Sequence, residues 1–151
     1  MLRGLPLRDG REPSNTVVLL REAFIALNNR MTERLAERGH AAVRPAHGAV
    51  FQYLDDGGTP VARLAERAQM TKQAMAELVA HLERHGYVER RPDPGDRRAK
   101  LVTATARGRE VFALARELIP DVEADIDAAL GPARADQFRA DLERLRRPGR
   151  S

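Results

Sequence analysis

Residues 64 to 108 constrain the fold of this 151-residue chain more than any other stretch. Leu64, Ala65, Ala68, Met70, Met75, Leu78 and Val79 stand where two short helices, crossing steeply through a tight turn, must press small or apolar side chains together. The turn reads Gln69-Met70-Thr71, and Thr71 suits an N-cap, because its hydroxyl can accept a free backbone N–H of a helix beginning at Lys72. That helix has an inner face of Met75, Leu78, Val79 and Leu82, spaced i, i+3, i+4 and i+7. Its outer face carries Lys72, Gln73, Ala76, Glu77, Ala80, His81 and Arg84, and His85-Gly86 ends it.

A hairpin follows. Tyr87-Val88-Glu89-Arg90-Arg91 is β-prone, two prolines and Gly95 break regular structure, and Lys100-Leu101-Val102-Thr103 returns as a second strand. Between Arg84 and Lys100 six basic residues (Arg84, Arg90, Arg91, Arg97, Arg98, Lys100) stand against three acidic ones (Glu89, Asp93, Asp96), so the projecting loop is basic. Asp96 and Arg98 share a side of an extended segment, and an ion pair between them would hold the loop in shape. Arg97 and Arg98 suit phosphates or a narrow minor groove.

A helix-turn-helix followed by a basic wing can grip duplex DNA by two grooves, with the start of the second helix at base edges. The candidate DNA contacts are therefore Thr71, Lys72, Gln73, Ala76, Glu77 and His81 on the helix, and Arg90, Asp96, Arg97, Arg98 and Lys100 on the wing. Gln73 suits adenine and Lys72 guanine or phosphate. Glu77 is repelled by phosphates unless it accepts from cytosine N4 or pairs with His81, one turn on. A solvated surface helix and a salt-bridged turn would show similar patterns; their order along the chain favours DNA.

The flanks read as helices. Ser14 or Asn15 can cap a first helix striped by Val17, Leu20, Phe24, Leu27, Met31 and Leu35 and ended by Gly39. A second starts near Pro45 and buries Val50, Phe51 and Leu54 before Asp55-Asp56-Gly57-Gly58. After the wing, a helix carrying Val111, Phe112, Leu114, Leu118, Ile119 and Val122 is open to a kink at Pro120, and Leu130-Gly131-Pro132 turns into a last helix with Phe138, Leu142 and Leu145.

Composition removes several function classes. With no cysteine, thiol redox switches, cysteine nucleophiles and thiolate zinc sites are excluded. There is no phosphate-cradling glycine loop and no serine nucleophile elbow, Ser14 and Ser151 lying near the chain ends, so no enzyme and no cofactor are expected. His81 with His85, or His40 with His47, could pair on a metal, but no carboxylate or cysteine cluster completes a site, and none is assigned. No apolar run approaches a membrane span and no signal peptide is evident, so a cytoplasmic protein without membrane contacts is expected. The net charge is +4, and all of it falls in residues 1 to 104, where 17 basic residues meet 13 acidic ones.

Taken together, these residues resemble the MarR family of winged helix-turn-helix transcriptional regulators. The resemblance is carried by Leu64-Ala65, Thr71-Lys72-Gln73-Ala74, Leu82-Glu83-Arg84-His85-Gly86-Tyr87-Val88, the wing signature Asp93-Pro94-Gly95-Asp96-Arg97-Arg98, and Thr105 to Gly108, in order and at matching distances from about Ser14 to Leu145. The chain departs from the pattern at Gln69, where the turn often has glycine, at Ala104, where leucine is usual, and at Glu77, where a basic or neutral residue is common.

The expected fold is mainly α with a small β-hairpin wing (α+β). Residues 1–13 form an N-terminal arm, 14–146 a single winged helix-turn-helix domain and 147–151 a tail. Within the domain 44–104 are the DNA-binding core, and 14–39 and 105–146 the dimerisation helices. The resemblance implies a homodimer on an imperfect palindrome of double-stranded DNA, with Val17, Leu20, Leu118, Phe138, Leu142 and Leu145 as candidate dimer contacts, although each stripe could instead face its own core. It also implies a small-molecule effector bound where the terminal helices meet the winged core, for which Arg21, Asn28, His47 and Phe51 are candidates that core packing or solvation explains as readily. The functional expectation is a sequence-specific transcriptional repressor released by that effector; the alternative is a winged-helix protein-interaction or non-specific DNA-binding module.

Overall fold

The computed structural model describes residues 15–147, so the expected arm, and the tail beyond Arg147, lie outside the described residues. Along the chain run α1 (Thr16–Glu37), a 3-10 turn (Pro45–His47), α2 (Gly48–Tyr53), α3 (Val61–Ala68), α4 (Lys72–Arg84), β1 (Val88–Asp93), β2 (Asp96–Ala104), α5 (Ala106–Leu130) and α6 (Pro132–Arg146). The architecture is helical with one antiparallel hairpin, as the sequence predicts.

Caps fix where these helices start. The Asn15 side chain accepts from Val18 N and opens α1, and Thr105 Oγ1 accepts from Gly108 N and opens α5. The second expected helix is instead two pieces: the Arg44 N–H donates to His47 Nδ1 (2.8 Å), closing a 3-10 turn before α2 begins. α5 runs through Pro120 as one helix.

The α3–α4 crossing buries Leu64 and Ala65 against Met75, Val79 and Leu82. Gln69 closes α3 in the left-handed conformation (φ 54°, ψ 43°), letting Met70 N reach Ala65 O. The core continues through Leu35, Val43, Val50, Tyr87, Val88, Val102 and Val111. Leu118 belongs to this core, at 6 % exposure, so its assignment as a dimer contact is corrected: the side chain packs within its own protomer.

Three features anchor the hairpin to the helices. Thr59 forms a one-residue third strand, its N–H and C=O both bonded to Val102 at 2.9 Å. Tyr87 is fully buried, with its hydroxyl 3.0 Å from His40 Nδ1 and the Arg107 guanidinium 4.3 Å above its ring. Gly108 lets α5 approach, since a Cβ there would stand only 2.1 Å from the Tyr87 carbonyl oxygen. On the far side, Arg139 joins α6 to Glu123 and Asp127 of α5, and Arg30 and Arg34 join α1 to Asp125.

Candidate nucleic-acid interface

α4 turns one polar face to solvent. Thr71 accepts from Ala74 N at 3.1 Å and so sets the start of the helix; Thr71, Lys72, Gln73 and Glu77 are exposed and Ala76 half-buried. The end of the helix is held from α5: Arg107 donates to the His85 carbonyl and Thr105 Oγ1 to the Gly86 carbonyl, satisfying carbonyls that the helix leaves open. The face is therefore fixed at both ends.

His81 lies elsewhere. Rather than joining the exposed face, it is half-buried, its Nε2 2.8 Å from the Ala42 carbonyl and its ring stacked on His47 at 4.3 Å and 16°. The expected Glu77–His81 pairing is not formed; Glu77 has no ion-pair partner among the described residues.

The wing differs from its expected outline in a way that matters for charge. β2 begins at Asp96, not at Lys100. Pairing runs regularly from Val88↔Ala104 to Pro92↔Lys100 and then jumps to Asp93↔Asp96, so Arg97, Arg98 and Ala99 bulge out with no partner across the hairpin. Pro92 has no N–H to continue the ladder at that point. Two side chains lock the tip: Asp93 Oδ1 accepts from Gly95 N (2.9 Å) and Asp96 Oδ1 from Arg98 N (3.0 Å). Asp96 thus shapes the loop through the backbone of Arg98, not through the expected ion pair, and the Arg98 guanidinium stays exposed.

The basic surplus divides accordingly. Arg90 is held to Glu83 (3.5 Å) and Arg91 to Glu89 (2.8 Å). Arg84, Arg97, Arg98 and Lys100, with Lys72 on α4, form no ion pair among the described residues and are exposed.

Between α1, the 3-10 turn, α2 and α5 lies a cavity of about 430 Å³. Met31, Leu35, Val43, Phe51, Val111, Phe112, Ala115 and Ile119 give it apolar walls, and Asn28, Arg44, Gln52 and Arg116 add polar groups. Of the effector candidates, Asn28 and Phe51 line it, with Asn28 Nδ2 also donating to the Pro45 carbonyl (3.0 Å). Arg21 is exposed on α1 and His47 is buried beside the cavity, and neither lines it. Gln52 and Arg116 escaped the sequence reading because single polar side chains on helices carry no periodic signal, and Arg44 because it lies in extended chain just before the 3-10 turn.

Histidines regroup across the fold. His47, His81 and His85 form a continuous column, the second contact at 4.5 Å, while His40 stands apart with Tyr87 and with Glu110 at 3.8 Å. No group of three or more His, Asp or Glu side chains among the described residues is arranged to hold a metal. His47 is held down to about 4 by burial and then by the nearby His81, Arg44 and His85.

Comparison with known proteins agrees with this geometry. The MarR family profile matches residues 43–99, from the strand-free segment before α2 through the wing tip. Transcriptional regulator HosA of Escherichia coli O111:H- is 30 % identical over 102 residues, covering 66 % of this chain and 76 % of HosA. Transcriptional activatory protein BadR of Rhodopseudomonas palustris is 33 % identical over 84 residues, covering 56 % of this chain and 47 % of BadR. Wild-type MarR from E. coli, in its apo form, shares the fold with a TM-score of 0.72 at 18 % identity, over 90 % of this chain and all of that one. The chain belongs to the MarR family of DNA-binding transcriptional regulators.

Proposed function

We propose that two copies of this chain pair through α1, α5 and α6 and read an imperfect DNA palindrome, with one α4 in each of two major-groove segments and each wing beside them. In this reading residues 44–104 are the DNA-binding core and 14–39 and 105–146 the dimerisation helices. Thr71, Lys72, Gln73, Ala76 and Glu77 meet base edges or neighbouring phosphates. Arg90, Asp96, Arg97, Arg98 and Lys100 make up the wing contact, Asp96 by shaping the loop. The observation that carries the reading is the bulge that presents Arg97 and Arg98, exposed and unpaired among the described residues, on the strand that follows an exposed polar helix face.

The bound dimer represses, and a small molecule in the cavity between α1, α2 and α5 releases it. Support comes from the cavity's volume and mixed lining, within the range of small-molecule sites, and from its place between α1 and α5, which pair, and α2 of the DNA-binding core. Fluorescence-anisotropy titration against the intergenic DNA upstream of its own gene and against a scrambled duplex, each at two salt concentrations, tests the DNA reading. Tight binding to the first duplex alone, at one dimer per palindrome, supports it. Equal, weak binding to both would replace it with a non-specific or protein-contact role. A reporter driven by the same intergenic DNA then separates repression from activation.

A further inference from the structure

The segment that connects α1 to α2 reaches α4 at the side chain of His81. Ala42 gives its carbonyl to His81 Nε2 at 2.8 Å, and His47 lays its ring on the His81 ring at 4.3 Å, nearly parallel. Val43, Arg44 and Gly48, which lie between and beside those two contact points, line the cavity. One histidine of α4 is thus fastened at two places to the segment whose Val43 and Arg44 form part of the cavity wall.

We propose that His81 is a positioning residue: by its stack on His47 and its hydrogen bond to Ala42 it ties α4 to the cavity wall and so sets how Lys72, Gln73 and Glu77 are presented. The proposal rests on the reading of α4 as the DNA-reading helix.

Hydrogen bonding fixes the tautomers. A carbonyl only accepts, so His81 carries its proton on Nε2. His47 Nδ1 accepts from the Arg44 N–H, so that nitrogen is bare, and His47 remains neutral over the range where histidines ordinarily gain charge. A proton added to His81 at Nδ1 would leave the Ala42 bond in place but put a cation against His47 at 4.3 Å and His85 at 4.5 Å. The charged groups nearest the column are cationic: Arg44, just before the 3-10 turn, and Arg107 of α5 at the His85 carbonyl. The carboxylates on these elements are directed elsewhere or exposed: Glu110 faces His40, Glu83 pairs with Arg90, and Glu77 lies on the outer face of α4. Added charge therefore opens the stack instead of being neutralised.

This gives an effect of opposite sign from a direct contact. A histidine touching phosphate binds DNA better when protonated, whereas a histidine that positions α4 through a neutral stack binds it worse. Anisotropy titrations with the upstream intergenic duplex at pH 7.5 and 5.5 are expected to show at least about a fivefold loss of affinity on acidification, the lower end of site-to-site coupling. H81F keeps a ring against His47 but loses the bond to Ala42, and it is expected to lose the pH dependence. Affinity that rises on acidification, or a pH dependence that survives in H81F, overturns the proposal. Nuclear magnetic resonance titration of the DNA-free wild-type protein decides the coupling without DNA and without a variant. The backbone amides of residues 42–44, 46 and 47 and of 72–77 are expected to shift with one midpoint, and α4 amides that stay still while those of the connecting segment move would sink the idea. If the protein fails to prefer its upstream duplex at pH 7.5, the DNA reading fails while this second measurement still tests the coupling.

Discussion

Gln69 holds a conformation that a side chain with a Cβ adopts at a cost of about 1 kcal/mol, and the other described residues with positive φ are all glycines. Its place in the turn is one where helix-turn-helix units often have glycine, and the positive φ of 54° shows why glycine suits it. Gln69→Gly is expected to stabilise the protein by about 0.5 kcal/mol, the strain relieved less the extra freedom glycine gives the unfolded chain. A urea midpoint that falls would mean that the glutamine side chain contributes a contact outweighing the strain. His47 gives a second prediction at this scale. Its folded-state value of about 4 lies below the ordinary 6.5, so the unfolded chain takes up the proton first. The stabilisation is whole above pH 6.5 and is lost as pH falls towards 4, by up to about 3 kcal/mol. Denaturation at pH 7.5, 5.5 and 4.5 should show this slope, and His47→Gln, which cannot titrate, should flatten it.

The wing is where element-level structure turns composition into a surface. Its arginines are visible in the sequence, but which of them are free is decided by pairing: Glu83 and Glu89 occupy Arg90 and Arg91, and the register jump after Pro92 extrudes Arg97 and Arg98. Arg97→Ala with Arg98→Ala should leave stability nearly unchanged and weaken DNA binding, with the slope of log affinity against log salt shallower by roughly two if each arginine neutralises one phosphate. An unchanged slope would remove both from the interface. The same element shows how far sequence reading reaches. Period and caps located α3, α4 and the turn, because those depend on neighbours three or four residues apart. The start of β2 at Asp96 escaped, because a proline-glycine tip reads as irregular although side-chain caps at Asp93 and Asp96 keep it ordered. Thr59 escaped because a one-residue strand has no period. The histidine column escaped because His47 comes from another element: the sequence places His81 beside His85 but not the ring that turns His81 away from the outer face.

At the scale of the whole molecule, the apolar side chains left uncovered are concentrated on the helices at either end. Val17 is 76 % exposed, Phe24 65 % and Leu145 70 %, and Leu19, Leu20, Ile25, Ile119 and Phe138 are also exposed, whereas α3 and α4 bury their apolar faces. Uncovered apolar surface of this extent, gathered on α1, α5 and α6, is what an interface between subunits requires. The stripe on α1 changes role along its length, from Val17, Leu20 and Phe24 outside to Met31 and Leu35 packed in the core, and spacing alone cannot distinguish the two ends. Val17→Glu with Phe24→Glu therefore separates pairing from folding, because neither residue belongs to the core cluster. The double variant should keep the helical circular-dichroism spectrum, run as a monomer by light scattering where the wild type is expected to run as a dimer, and lose at least about a hundredfold in operator affinity, since a lone protomer gives up the joined second half-site. A variant that stays dimeric would move the seam off the start of α1 and onto the face of α6 that carries Phe138, Leu142 and Leu145.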